Sequence, residues 1–185
     1  MRIQRQSPTF DGQAGMSVLE VLIAMSALLI ALGGFLQSMV TSTRLHQSNV
    51  DSTIAIEVLR AKIEELASVP FDEVYRRFNE DGADDPEGAN TAPGNEFAVS
   101  SLDPSLEVVD GVTGQIIFPT LGGVLSETPD NEFEGMVRDV NLNGRTTDAD
   151  VSADYGVLPV RVRLTWRGAG TATREWALST ILIER

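Results

Sequence analysis

The chain has 185 residues, 42% of them hydrophobic, and a formal net charge of −13. That length holds one domain of ordinary size plus an extra element, and the acidity argues against nucleic-acid binding, which needs Lys and Arg to displace counterions from phosphate. With no cysteine and a single histidine, His46, thiol nucleophiles, disulfide staples and His-rich metal sites are excluded. The charge is lopsided: after residue 68 there are nine Arg and no Lys against twenty-one Asp and Glu. Acidity of this kind serves solubility or divalent-cation binding, and only a specific loop can favour the second.

From Met16 to Leu36 the sequence is apolar for about the length that crosses a bilayer as a helix. A secretory signal peptide is the competing reading, with Arg2 and Arg5 as its basic end. The run is longer than a usual signal core of ~7–15 residues, and a small-residue cleavage site is poorly marked after it. Arg2 and Arg5 favour a cytoplasmic N-terminus with the rest of the chain outside, although Asp11 and Arg44 dilute that bias. Glu20 is the informative residue here. A carboxylate within an apolar span costs several kcal/mol unless it is paired or neutralised, which makes it a functional candidate by default.

Gly15-Met16-Ser17-Val18-Leu19-Glu20-Val21-Leu22 resembles the class III signal of type IV prepilins and type II secretion pseudopilins. That signal has a polar leader ending in Gly, a hydrophobic stretch straight after it, and Glu at the fifth mature position. All three occur in register, and Leu-Glu-Val-Leu looks most like minor pilins and minor pseudopilins. Two features depart from the family pattern: Met16 stands where Phe is usual, and no Pro interrupts the span, where only Gly33-Gly34 offers a weak point. The resemblance implies that residues 1–15 are a leader, that a prepilin peptidase cuts between Gly15 and Met16, and that Met16 becomes an N-methylated terminus. It also implies that Glu20 faces the terminal amine of a neighbouring subunit's Met16, a pairing that offsets its desolvation and sets the register between subunits.

Residues 37 to 68 continue without Pro or Gly, and Ile56, Leu59, Ile63 and Leu66 recur at i, i+3, i+7 and i+10, marking one apolar helical stripe. Val69-Pro70 ends the run, because a residue before Pro disfavours helical geometry. The expectation is one helix over 16–68, transmembrane over about 16–36, with its second half packed against a globular head, as in mature pilins. Lys62 to Phe71 also looks like the helix-end sequence common in minor pilins. His46 reads as a solvated or filament-facing helix residue.

The head occupies 69–185. Residues 79–96 form a flexible acidic loop rich in turn formers. Short β-type runs follow at 97–102, 106–109 and 113–118. The clearest hairpin comes last: Val160, Val162, Leu164 and Trp166 alternate with polar residues, Gly168-Ala169-Gly170 turns the chain, and Trp176, Leu178, Thr180 and Leu182 alternate on the return. Period-two patterning of this kind implies a half-buried antiparallel pair whose apolar face covers the helix stripe. The expected fold is therefore α+β, a long N-terminal helix packed by an antiparallel β-sheet head.

Between these runs, Asp139-Val140-Asn141-Leu142-Asn143-Gly144 followed by Asp150 fits the spacing of a twelve-residue calcium loop. Oxygens of Asp139, Asn141, Asn143 and Asp150 would converge, Arg145 would offer its carbonyl, and Thr147 would contribute directly or through water. Asp150 is one methylene shorter than the usual Glu, so the expected Ca2+ affinity is low. The bland alternative is an Asx-rich turn that binds nothing.

The leading reading is a minor pilin or pseudopilin, a structural subunit of a type IV pilus or type II secretion-like filament. The resemblance implies other pilins or pseudopilins, the prepilin peptidase and an inner-membrane assembly platform as partners, with an inner-membrane location before entry into a pilus or periplasmic pseudopilus. The alternative is a membrane-tethered extracytoplasmic calcium-binding or interaction domain that does not polymerise. No patterned nucleophile–base pair marks an enzyme.

Overall fold

A computed structural model describes residues 16–102, 113–130, 133, 136, 138–168 and 172–184. Spatial proximity divides the chain into two units, Met1–Arg44 and Leu45–Arg185. Helix α1 (Val18–Ser68, 51 residues) contributes to both. Ser17 opens it: its hydroxyl accepts the Leu19 N–H at 3.3 Å and its carbonyl accepts the Glu20 N–H at 2.9 Å. Pro70 follows its end, as the sequence predicts. Gly33 and Gly34 do not interrupt it.

The described part of the first unit, residues 16–44, is exposed throughout. Leu28, Leu29 and Ile30 are 66%, 67% and 77% exposed. Three successive helical positions point about 100° apart, so residues 16–36 are apolar all round, not along one stripe. Three of the unit's hydroxyls are satisfied internally: Ser26, Thr41 and Thr43 donate to the carbonyls of Leu22, Gln37 and Met39 at 2.8, 3.0 and 3.0 Å.

In the second unit α1 buries Ala55, Leu59 and Leu66, together with Ser48 and Asp51. The expected stripe is thus rotated. Leu59 and Leu66 lie at its centre, Ile63 packs against its edge, and Ile56 is half-buried on the flank while Ala55 takes the central place. Ala55 to Leu59 to Leu66 keeps to one face at 3.6 residues per turn, whereas Ile56 is turned about 100° from Ala55. A second helix, α2 (Phe71–Phe78), follows Pro70 at once. This helix is not among the elements expected from the sequence, where Pro70 only closes α1. Its signals are Val74, Tyr75 and Phe78 on one face, Asp72 and Glu73 in the first turn and Arg76 and Arg77 in the last, which complement the helix dipole.

The main sheet is antiparallel with strand order β1-β2-β5-β6, comprising β1 (Glu96–Phe97), β2 (Gly114–Ile117), β5 (Val157–Arg167) and β6 (Thr173–Ile183). A small hairpin, β3 (Thr120–Leu121) and β4 (Val124–Leu125), turns through Gly122 and Gly123 at φ 61° and 91°, the positive values a tight hairpin demands. Of the expected runs, 97–102 keeps only Phe97 in a strand, 113–118 becomes β2, and 106–109 lies outside the described residues.

The final hairpin is as expected and longer. Leu158, Val160, Val162, Leu164 and Trp166 are all fully buried along β5, where they form one core with Ala55, Leu59 and Leu66 of α1. Pro159 is tolerated in β5 because the ladder with β2 covers only Arg161 to Leu164. At the sheet's other end Phe97 pairs with Gly114, its ring lying where a side chain at 114 would stand, and the Lys62 ammonium sits 4.7 Å from that ring's centre. The helix and the sheet are fastened there by a glycine, an aromatic face and a cation.

The acidic segment from 79 is irregular up to β1, yet it is laced with hydrogen bonds. Asn79 donates to Asp84 at 3.1 and 3.0 Å, and Asp85 accepts the N–H groups of Thr91 and Ala92 at 2.8 and 3.0 Å.

Candidate functional site

Two places carry the chemistry that the sequence singled out. At the first, Gly15 lies outside the described residues. Met16 precedes α1 and is 67% exposed. Glu20 sits in the first turn of α1 and is the only charged residue between Met16 and Arg44. Among the described residues no hydrogen bond or ion pair engages its carboxylate. What this end of the chain presents is an apolar cylinder with one acid near its tip.

The second place is the Asp139–Asp150 loop, whose ends are pinned by Val140 and Val151, 0% and 2% exposed in the core. The Val140 carbonyl accepts the N–H of Gly156 at 2.9 Å and of Val157 at 3.0 Å, and Val151 N–H donates to Leu125 at 2.9 Å, so the loop spans the gap from β4 to β5. Within it Asp139 accepts from the N–H groups of Asn143 and Gly144 at 3.0 Å each. The Asn141 side-chain oxygen also accepts from Asn143 N–H at 3.3 Å, and the Asn143 oxygen accepts from Arg145 N–H at 2.7 Å. Leu142 at φ 58° and Gly144 at φ 84° make the sharp turns that let these three side chains crowd one side. Asp139, Asn141 and Asn143 are therefore brought together. Arg145 and Thr147 are exposed on the same loop. Asp150 accepts the Ser152 N–H at 3.0 Å, closing a turn at the loop's far end.

Two residues outside the expected set complete the arrangement. Asp148, at the tenth place of the loop, receives the side-chain amides of Asn141 at 3.1 Å and Asn143 at 2.6 Å. Those two amides, with lesser help from Arg145, hold its carboxyl below the usual carboxylate range. Glu127 is 1% exposed. Its two carboxylate oxygens accept the N–H groups of Val140 at 2.8 Å and Asp148 at 3.1 Å, while its own N–H donates to the Asp148 carbonyl at 3.1 Å. One buried acid thus ties both limbs of the loop. Asp148 was visible in the sequence as a second acid two places before Asp150. Glu127 was not: it stands twelve residues before Asp139 in a Ser- and Thr-rich stretch with no spacing to mark it.

The donor set is all oxygen, from carboxylates, amides and backbone carbonyls, which suits a hard cation of calcium's size. Its charge is modest. Among the described residues no three Asp, Glu or His side chains converge closely enough to hold a metal by themselves, so amide and backbone oxygens would have to supply the rest of a shell.

Around the loop two tyrosines anchor α2 to the hairpins. The Tyr75 hydroxyl donates to Gly123 at 3.1 Å and that of Tyr155 to Phe71 at 2.8 Å. Burial pushes both phenols up to about 12.

No protein-family model, curated protein or solved structure significantly matches this chain.

Proposed function

We propose that the chain is a membrane-anchored filament subunit, a minor pilin or pseudopilin of a type IV pilus or type II secretion-like system, and not an enzyme. The observation that carries this reading is the register of Gly15, Met16 and Glu20 at the head of a 51-residue helix whose first part is apolar on every face. Such a surface needs lipid or other helices around it. The single acid at its start suits the resemblance to prepilin signals: after cleavage at Gly15, the amine of a neighbour's Met16 would neutralise Glu20. The partners are then the prepilin peptidase, other subunits of the same kind and an inner-membrane assembly platform, with the head outside the cytoplasm.

The head would carry one Ca2+ in the Asp139–Asp150 loop, held by oxygens of Asp139, Asn141, Asn143 and Asp148 or Asp150 with the Arg145 carbonyl, and Thr147 alongside. A bound cation would neutralise carboxylates that now face amide donors and would fasten the loop between β4 and β5. The decisive experiment is mass spectrometry of the mature N-terminus. The expected result is a chain beginning at N-methylated Met16, with Gly15 substitutions leaving uncut precursor in the membrane. A mature terminus near residue 35 or beyond would refute the proposal and restore the signal-peptide reading.

A further inference from the structure

The last strand of the sheet is a long edge whose charges are confined to its start, Arg174 and Glu175. β6 is eleven residues long, pairs with β5 without a bulge from Thr173 to Ile183, and has no further strand beside it among the described residues. Its stretch Trp176–Ile183 contains no charge, Pro or Gly. Long uncharged edges are what natural sheets normally interrupt, because their unpaired backbone groups recruit another strand.

The side chains show the same lack of cover. Trp176 and Leu178 lie opposite Leu164 and Val162, on the face that β5 turns to the core, yet they are 44% and 38% exposed while their β5 partners are fully buried. Something extending the sheet past β6 would cover both.

We infer that this edge pairs with the β6 edge of a second copy of the chain, antiparallel and about a two-fold axis through Ser179. Charge complementarity supports that occupant and favours that register. With Ser179 opposite itself, Arg174 of each copy meets Glu184 of the other, Trp176 meets Leu182, and Leu178 meets Thr180. All of these lie on the core-facing side, and no like charges meet. A parallel in-register pair would instead set Arg174 against Arg174. An antiparallel pair displaced by one residue is excluded by the pleat, since it would set odd residues against even ones, which project to the opposite face. Like charges directly opposite destabilise a strand pair, and opposite charges support it. The resulting surface is isologous, as a closed dimer requires. This contact is independent of the filament reading, since it rests on the β6 edge alone.

The chain has no cysteine, which gives a clean crosslinking test on the full-length protein in mild detergent. Ser179→Cys should oxidise to a disulfide-linked dimer, because directly opposed residues lie within disulfide reach. Ala177→Cys should not, since its own counterpart would be four residues away along the strand, ~13 Å. Arg174→Glu in the Ser179→Cys background should weaken crosslinking on the order of tenfold, and adding Glu184→Arg should restore it. Equal crosslinking at 177 and 179, no crosslinking at 179, or a charge swap that fails to rescue would each overturn the inference. Association through α1 alone would give the first of these patterns.

Discussion

Glu127→Ala tests whether the loop is held in the way its hydrogen bonds indicate. The substitution removes two charged acceptors at once. The Val140 N–H lies in the core, with Val140 fully buried, and losing a bond to a charged group there costs about 1.5–3 kcal/mol. The Asp148 N–H is nearer solvent and water can replace the carboxylate, so its loss costs about 0.5–1.5 kcal/mol. Together these give about 3 kcal/mol, a drop in Tm of roughly 6–12 °C for a chain of this size. Glu127→Gln keeps the volume and one acceptor but turns an amide N–H2 toward the other donor, so it should cost about half as much. Trp166, fully buried on β5, is a natural fluorescence reporter for urea unfolding of the full chain in detergent. A Glu127→Ala loss below 1 kcal/mol would refute the view that this acid fastens the loop.

Further outcomes follow from single contacts. Gly114→Ala should cost about 1–3 kcal/mol, because the new methyl meets the Phe97 ring, and the cost should shrink when Phe97 is also cut to Ala in a double-mutant cycle. Tyr75 and Tyr155, raised from 10.0 to about 12, favour the protonated phenol in the fold. Their contribution is intact below pH 10 and lost as pH climbs through about 12, so stability should fall across that window, less steeply in Tyr75→Phe. Calcium at a hundred times its Kd should stabilise the protein by about 2.7 kcal/mol in thermal melts, Asp139→Ala should abolish the shift, and magnesium should substitute poorly. Glu20→Ala should remain in the membrane fraction yet enter filaments poorly, and normal incorporation would remove its assembly role.

What the sequence revealed depended on the range of the interaction. The long helix and the β5–β6 hairpin were legible because a period of 3.6 or 2 is written in consecutive residues. The helix stripe was legible only approximately. Ile56 looks like a core residue by composition, but Ala55 is the one the sheet closes on, and a small residue at a contact leaves no hydrophobic signal. α2 was hidden behind Pro70, which ends one helix and equally well starts another at its first turn. The Asp139–Asp150 loop shows the same division. Asp139, Asn141, Asn143 and Gly144 are local and were read directly, whereas Glu127 acts across a hairpin and nothing near it predicts which backbone donors it will meet. The exposure of Trp176 and Leu178 also could not be foreseen, since alternation tells which face a residue takes but not how far the layer beneath extends.

In the proposed function the first helix would separate anchoring from recognition. Thirteen large apolar side chains between Met16 and Leu36 are exposed. At about 1.5–3 kcal/mol for each one fully covered, and allowing for those already part-covered by the helix itself, their transfer out of water is worth well over 10 kcal/mol. Placing one acidic side chain at the centre of a span costs about 2.5–3.5 kcal/mol on the insertion scale, and less near an end, where Glu20 stands. Glu20 therefore cannot decide whether the helix inserts. If the helix inserts as proposed, Glu20 would instead bear on what it does next, because an approaching cation at its level would remove the cost that it leaves behind. Apolar contacts along a cylinder that is greasy on every face are nearly indifferent to rotation and sliding, so they supply adhesion without register. On the proposed reading, a single acid with one partner at a fixed height would supply the register that they lack.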